Sequence, residues 1–365
     1  MTCEVRTEDT CFIISKGYVS MYRFRPIASQ IAKRTGFGVP KLAKAAVEVI
    51  EEHPSATAFS KPVLMLDEDR TKVERAQSGT SLAEQWAIID GRDVVHEATV
   101  RYVFRDVLAT PFGFFTKHQG FARFGPVRYA EMMSAPIERR ASGYFAASPI
   151  TQQYFGHWVR DGLITTYLKR PHEELYFPSN PAWTHAREYL DLLKIERLRP
   201  DYVIFDKMSY CRDIGQNADR AARLERLQAK VQGIFGDAGV PGAFIRRGRT
   251  GVSRVLLNED EVVDALSARG FAIVSSTDPL EHILRSVSGA SVTVAMEGSH
   301  WNHLFLASRR DALHVTINPA DRFNNIFADF IDHTPGQLAT TVAIREGDGY
   351  RVDISNLLRL IDLHA

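Results

Sequence analysis

With 365 residues, 45% of them hydrophobic and 24% charged, the chain has the composition of a core-forming globular protein and the length of about two ordinary domains. A formal net charge of +1 excludes the broad basic field that a nucleic-acid polyanion selects, so no nucleic-acid partner is expected and any anion site must be local. Cys3, Cys11 and Cys211 lack metal-ligand spacing, and no apolar run approaches the roughly 20 residues that span a bilayer, which together point to a cytoplasmic protein.

The N-terminal MTCEVRTEDTCFIISKGYV carries acids early and only a short apolar run, so it does not read as a secretory leader. Val39–Pro54 places Leu42, Ala45, Ala46, Val49 and Ile50 at a helical period and predicts one helix ended by Pro54. Lys41 and Lys44 would form its solvated face, or a peripheral contact with anionic lipid. From Glu97 the pattern turns to strand: ATVRYVFRDVLATPFGFF alternates apolar and polar residues until Pro111 and Gly113 break it.

YFGHWVRDGLITTYL reads as a helix that begins at Gly156, and Trp183–Ile195 as another. Asp201–Lys207 is a short buried strand, and Leu224, Leu227, Val231 and Ile234 mark an amphipathic helix closed by Gly236 and Gly239. Regular alternation follows, with strands at Gly242–Arg246, Phe271–Val274, Ser291–Ala295 and His314–Ile317. Helices at Asp260–Arg269, Pro279–Val287 and Trp301–Leu306 lie between them, which implies a parallel sheet covered on both faces. A final helix in SNLLRLIDLHA is expected to be capped by Ser355.

Three groups of residues could carry chemistry. Arg246, Arg247, Arg249 and Arg254 fall at or beyond the C-terminal end of a predicted strand, where ligands of open α/β sheets bind. Guanidinium groups there suit a diphosphate, because they stay charged and present a planar fork of donors. Gly298 and Ser299 lie between a strand and a short helix, so backbone N–H groups can face an anion. Neighbouring Glu297 is suited to sugar or ribose hydroxyls, and His300 and His303 read as one surface and one packed histidine rather than metal ligands.

His157 and Asp161 are four residues apart and share a helical face, a pairing that orients an imidazole for general-base work. A packed histidine beside Trp158 is the competing reading. Leu64-Met65-Leu66-Asp67-Glu68-Asp69 could hold a divalent cation through Asp67 and Asp69, but Arg70 and Lys72 follow at once and a solvated acidic turn is favoured.

Three blocks in this order resemble the family-61 glycosyltransferases over about Arg101–Phe330. FRDVLATPFG resembles the family's first strand, YFGHWVRDGL its His-Trp-x-x-Asp helix, and RRGRTGVSRVLLNEDEV its Arg…Arg-x-x-x-Asn-Glu block. Arg246 or Arg247, Arg254, Asn258 and Glu259 map onto that last block. The family's His-Gly-Ala-Gly-Leu-x-Asn is replaced by Glu297-Gly298-Ser299-His300-Trp301-Asn302-His303, so either Asn302 or His303 takes the Asn position.

The resemblance implies an α/β, GT-B-like fold of two facing Rossmann-like domains with a central cleft. Residues 1–95 would be an N-terminal extension, 96–200 the acceptor side, 201–345 the donor side, and 346–365 a C-terminal helix packing back. It implies an inverting, metal-independent glycosyltransferase with no cofactor, moving a sugar from a nucleotide-sugar such as a UDP-sugar to a glycan acceptor in capsule or surface-polysaccharide assembly. His157 and Asp161 would be catalytic; Arg246, Arg247, Arg254, Asn258, Glu297, Gly298, Ser299 and His303 would bind the donor. An inactive glycan- or nucleotide-sugar-binding protein on the same fold, and a metal-dependent transferase using Asp67 and Asp69, stand as alternatives.

Overall fold

The computed structural model describes residues 21–35, 41–117, 119–199, 201–248 and 254–363. The leader reading, Cys3, Cys11 and Arg249 fall outside them. The strands are β1 (Glu48–His53), β2 (Ala56–Ser60), β3 (Arg92–His96), β4 (Thr99–Thr110), β5 (Gly113–Phe115), β6 (Gly120–Phe121), β7 (Glu138–Phe145) and β8 (Glu174–Tyr176). They continue with β9 (Val203–Arg212), β10 (Gly242–Arg246), β11 (Ala272–Ser275), β12 (Val292–Met296), β13 (Leu313–Pro319), β14 (Gln337–Glu346) and β15 (Gly349–Val352).

Two larger sheets organise the molecule. The first runs β6-β5-β4-β9-β7-β8, with β1 paired to β4. It is mixed: β7 runs parallel to β8 and β9, whereas β4 is antiparallel to β1, β5 and β9. The tight turn at Pro111 and Phe112 leaves β4 and β5 only the antiparallel pairing of a hairpin. The second sheet runs β11-β10-β12-β13-β14-β15 and is parallel except for the edge strand β15. All residues of β12 and β13 are buried, the continuous apolar run expected of a strand covered on both faces. β2 and β3 form a separate two-stranded ribbon.

One hydrophobic core joins the sheets, containing Tyr144, Trp158, Leu224, Ile245, Trp301 and Leu338. Trp158 stacks on Phe177 at 5.1 Å between ring centroids, and Trp301 on Phe327 at 4.1 Å. No helix among the described residues is long and apolar enough to cross a membrane.

Four expectations are corrected. Val39–Pro54 is not one helix: a short helix, Leu42–Ala45, gives way to β1, because Glu48–His53 finds a partner in β4 and pairing outweighs a local helical period. Strand Val203–Arg212 is longer than the predicted Asp201–Lys207 and lies in the first sheet between β4 and β7. The last helix, Ile354–Asp362, is capped by Asp353, whose carboxylate accepts from the Asn356 N–H at 3.2 Å, not by Ser355.

Asp69, finally, is not on a solvated turn. It is fully buried, and its carboxylate accepts from Lys72 at 2.8 Å, Thr341 at 2.6 Å and Asn356 at 3.1 Å. Both oxygens are thereby spent on pinning the Asp67–Arg70 helix to the second sheet.

Candidate functional site

The second sheet has the strand order 2-1-3-4-5 when its parallel strands are numbered along the chain. In such sheets the connections leave on opposite faces either side of the first strand, opening a crevice at the carboxyl ends of the first and third. Here those ends belong to β10 and β12, and they deliver Arg247 and Glu297.

Glu297 extends the ladder, its N–H donating to the Ile317 carbonyl at 2.9 Å, and guanidinium groups gather on it. Its carbonyl accepts from Arg247 Nη1 at 2.7 Å and Arg254 Nη1 at 2.5 Å. Its carboxylate is ion-paired with Arg254 and lies 3.4 Å from Arg322. Three cations therefore surround one anion, and Arg247, Arg254 and Glu297 are all buried. Burial and the neighbouring Arg254 push Arg247 down to about 10, and burial lowers Arg254 as well. A bound dianion would relieve both shifts.

Gly298 has φ +155, and a Cβ there would collide with the Arg247 guanidinium and meet the His300 ring at 3.1 Å. Only glycine lets the turn run beneath that arginine. His300 and His303 are both buried. Burial, reinforced by Arg247, drives His300 well below the ordinary histidine range, and burial with His185 drives His303 down to about 3.

The second part of the site comes from the first half. Helix Phe155–His157 runs into a π-turn at Trp158–Gly162. His157 Nδ1 lies 2.5 Å from Asp161 Oδ2 and 3.1 Å from Arg160 Nη2. The shorter contact places a proton on Nδ1, which donates to the carboxylate. The ring retains 19% side-chain exposure, so a substrate can reach it. Asp161 is buried; burial opposes its ionisation, but Arg160 and Arg220 outweigh that cost and hold it far below the usual carboxylate range. The Asp161 carboxylate is thereby kept ionised beside the His157 ring.

Both parts meet at Gly156. A Cβ there would lie 2.8 Å from Asn302 Nδ2 and 3.1 Å from Ser299 Oγ, so the chain before His157 rests on the 298–302 turn. Residues 155–313 match the family model Glycosyltransferase 61. This span contains His157, Asp161, Arg247, Arg254, Glu297 and the turn that follows. No curated protein matches the chain.

Several predicted site residues are placed elsewhere. Arg246 points away from the cluster, pairing with Glu259 and Asp260 at 2.9 Å each. Asn258 spends both ends of its amide on Val352, donating to its carbonyl at 2.9 Å and accepting from its N–H at 3.2 Å. His303 has both ring nitrogens engaged, by Tyr189 at 2.9 Å and His185 at 3.2 Å. The Glu297 carboxylate, expected to hold hydroxyls, is held by arginines instead.

Sequence reasoning missed Arg160, Arg220 and Arg322. Arg160 contacts Asp161 at 3.1 Å and lies over the Phe330 ring at 3.3 Å. Arg220 bridges Asp161 to Asp213, the latter at 3.0 Å. A signal for Arg220 existed: it stands four residues before Leu224 on the apolar stripe of helix Ala218–Phe235, where a charge needs a buried partner.

Proposed function

We propose that this protein is a glycosyltransferase that transfers one sugar, with inversion and without a metal ion, from a UDP-sugar to a glycan acceptor. The observation that carries the reading is the docking of the His157–Asp161 pair, through Gly156, against the turn that follows the arginine cluster. An inverting displacement needs a base on the acceptor hydroxyl and positive charge on the departing diphosphate, on opposite sides of the transferred sugar.

In this mechanism His157 Nε2 takes the acceptor proton as the hydroxyl attacks the anomeric carbon. The imidazolium that forms is stabilised by Asp161, which Arg160 and Arg220 keep ionised. Arg247, Arg254 and Arg322 neutralise the leaving diphosphate, with the Gly298–Ser299 backbone beside them. Glu297 spaces the guanidinium groups so that they do not repel one another out of the crevice. Tyr154, 51% exposed with its ring centroid 6.0 Å from that of His157, offers a face for an acceptor sugar. The first sheet then serves the acceptor side and the second the donor side of a GT-B-like cleft.

Donor consumption and nucleotide affinity, measured on two variants, test the reading. His157→Ala should abolish transfer and leave UDP affinity intact, while Arg254→Ala should weaken UDP binding. An active His157→Ala enzyme removes the base, and unchanged UDP binding by Arg254→Ala removes the donor site.

A further inference from the structure

The helix Arg25–Arg34 and the turn before it present two opposite faces. Tyr22, Arg25 and Ser29 are buried; Tyr22 and Arg25 both bind Asp106, and Arg23 donates to the Ala135 carbonyl at 2.8 Å. Away from these contacts, Met21 is 53% exposed, Phe24 52% and Ile31 57%. Phe24 and Ile31 are seven residues apart, two turns of helix, so their side chains share a stripe, and Met21 lies one turn before Phe24. Nothing among the described residues covers it.

Charge says what does. From Met21 to Thr35 the sequence holds Arg23, Arg25, Lys33 and Arg34 and no acidic residue. The helix packs beside β5 and β6, and from Val107 to Ala130 that region has Lys117, Arg123 and Arg128 and again no acid. The next acid along the chain, Glu131, is ion-paired with Arg128 at 3.0 Å, and Asp106 is taken by Arg25. In a protein of net charge +1, the helix and the two strands beside it carry basic residues in excess next to an apolar stripe.

We propose that this face lies on an anionic lipid bilayer, with Met21, Phe24 and Ile31 in the acyl boundary and Arg34 and Lys117 among the headgroups. Amphipathic helices bind interfaces by that combination of apolar area and attraction to anionic lipid. A second copy of the chain fits poorly, because apposing two such faces brings like charges together.

Sedimentation of the full chain with vesicles tests this. Phosphatidylcholine vesicles containing about 30% phosphatidylglycerol should carry the protein down, pure phosphatidylcholine should not, and about 1 M salt should release it. The double variant Phe24→Asp/Ile31→Asp and, separately, Arg34→Glu should each weaken binding by about tenfold or more. Both leave the buried face untouched, so their thermal midpoints should match the parent. Failure of the parent to bind anionic vesicles, or undiminished binding by the double variant, overturns the proposal. Concentration-dependent dimerisation lost in the double variant, without vesicle binding, assigns the face to a second copy instead.

Discussion

Asp161 touches His157 with one carboxylate oxygen, at 2.5 Å, and Arg220 with the other, so the partly exposed ring is tied to an ion network in the interior. That network continues from Arg220 to Asp213 and from Asp213 to Arg223 at 2.8 Å, and reaches Asp219 at 2.8 Å. Removing one member leaves the others buried without a counter-charge.

Asp161→Asn should therefore cost about 3–5 kcal/mol of stability along with transfer activity. Because the folded-state pKa of Asp161 is depressed, its contribution is present above the unfolded carboxylate value of about 3.9 and is lost as pH falls through the folded value. Urea unfolding at neutral pH and in strong acid checks both: the difference between parent and variant should shrink in acid. A variant as stable as the parent at pH 7 would show the network to be energetically idle.

Gly156→Ala should lower activity without touching any charged group. Its methyl would meet Asn302 Nδ2 at 2.8 Å, and overpacking of this kind costs about 1–3 kcal/mol. Trimming the obstacle with Asn302→Ala should restore part of the loss in the double variant. Simple additivity of the two losses, in thermal unfolding and in kcat, would refute the contact.

Buried neutral histidines predict a further pH response. His303 is pushed down to about 3, so between that value and the unfolded value of about 6.5 the unfolded chain binds more protons than the folded one. Stability should accordingly fall on acidification below about pH 6.5, by at most about 1.4 kcal/mol per pH unit for this one group. His303→Gln should flatten the slope without removing it, since His300 is shifted in the same direction. An unchanged slope would deny His303 its part.

Asp69→Asn should destabilise the protein by about 1–3 kcal/mol while leaving UDP affinity and EDTA-insensitive transfer unchanged, because its partners are structural. Loss of donor binding, or inhibition of the parent by EDTA, would revive the metal-dependent reading.

The second sheet was legible because its central strands are buried on both faces and the helices Glu259–Ser267 and Leu280–Val287 each bury one apolar stripe, so the local pattern and the tertiary environment agree. Predicted β10 matches the structure residue for residue, and β11 and β12 shift by one. β1 was misread because Val49 and Ile50 satisfy a helical period and a strand equally well, and only the distant β4 decides. At the site, Arg247, Arg254 and the His157–Asp161 pair could be picked out from position and spacing. The arginines that set Asp161, and the capture of Glu297 by its own cations, depend on residues brought together across the chain, which periodicity does not encode.

The path of residues 61–77 has a consequence for synthesis. This segment follows β2 of the two-stranded ribbon and finds its partners near the end of the chain. The Leu64 N–H donates to Leu338, Asp69 binds Thr341 and Asn356, the Glu74 N–H donates to Ala320, and the Gln77 N–H to Phe323. A nascent chain exposes Val63, Leu64 and Met65 long before the strands that cover them leave the ribosome. Such long-range closure slows folding and leaves apolar surface open meanwhile. Truncation anywhere before about residue 341 should thus leave an early segment without a home, and the ribosome-bound intermediate is a natural client for a holding chaperone.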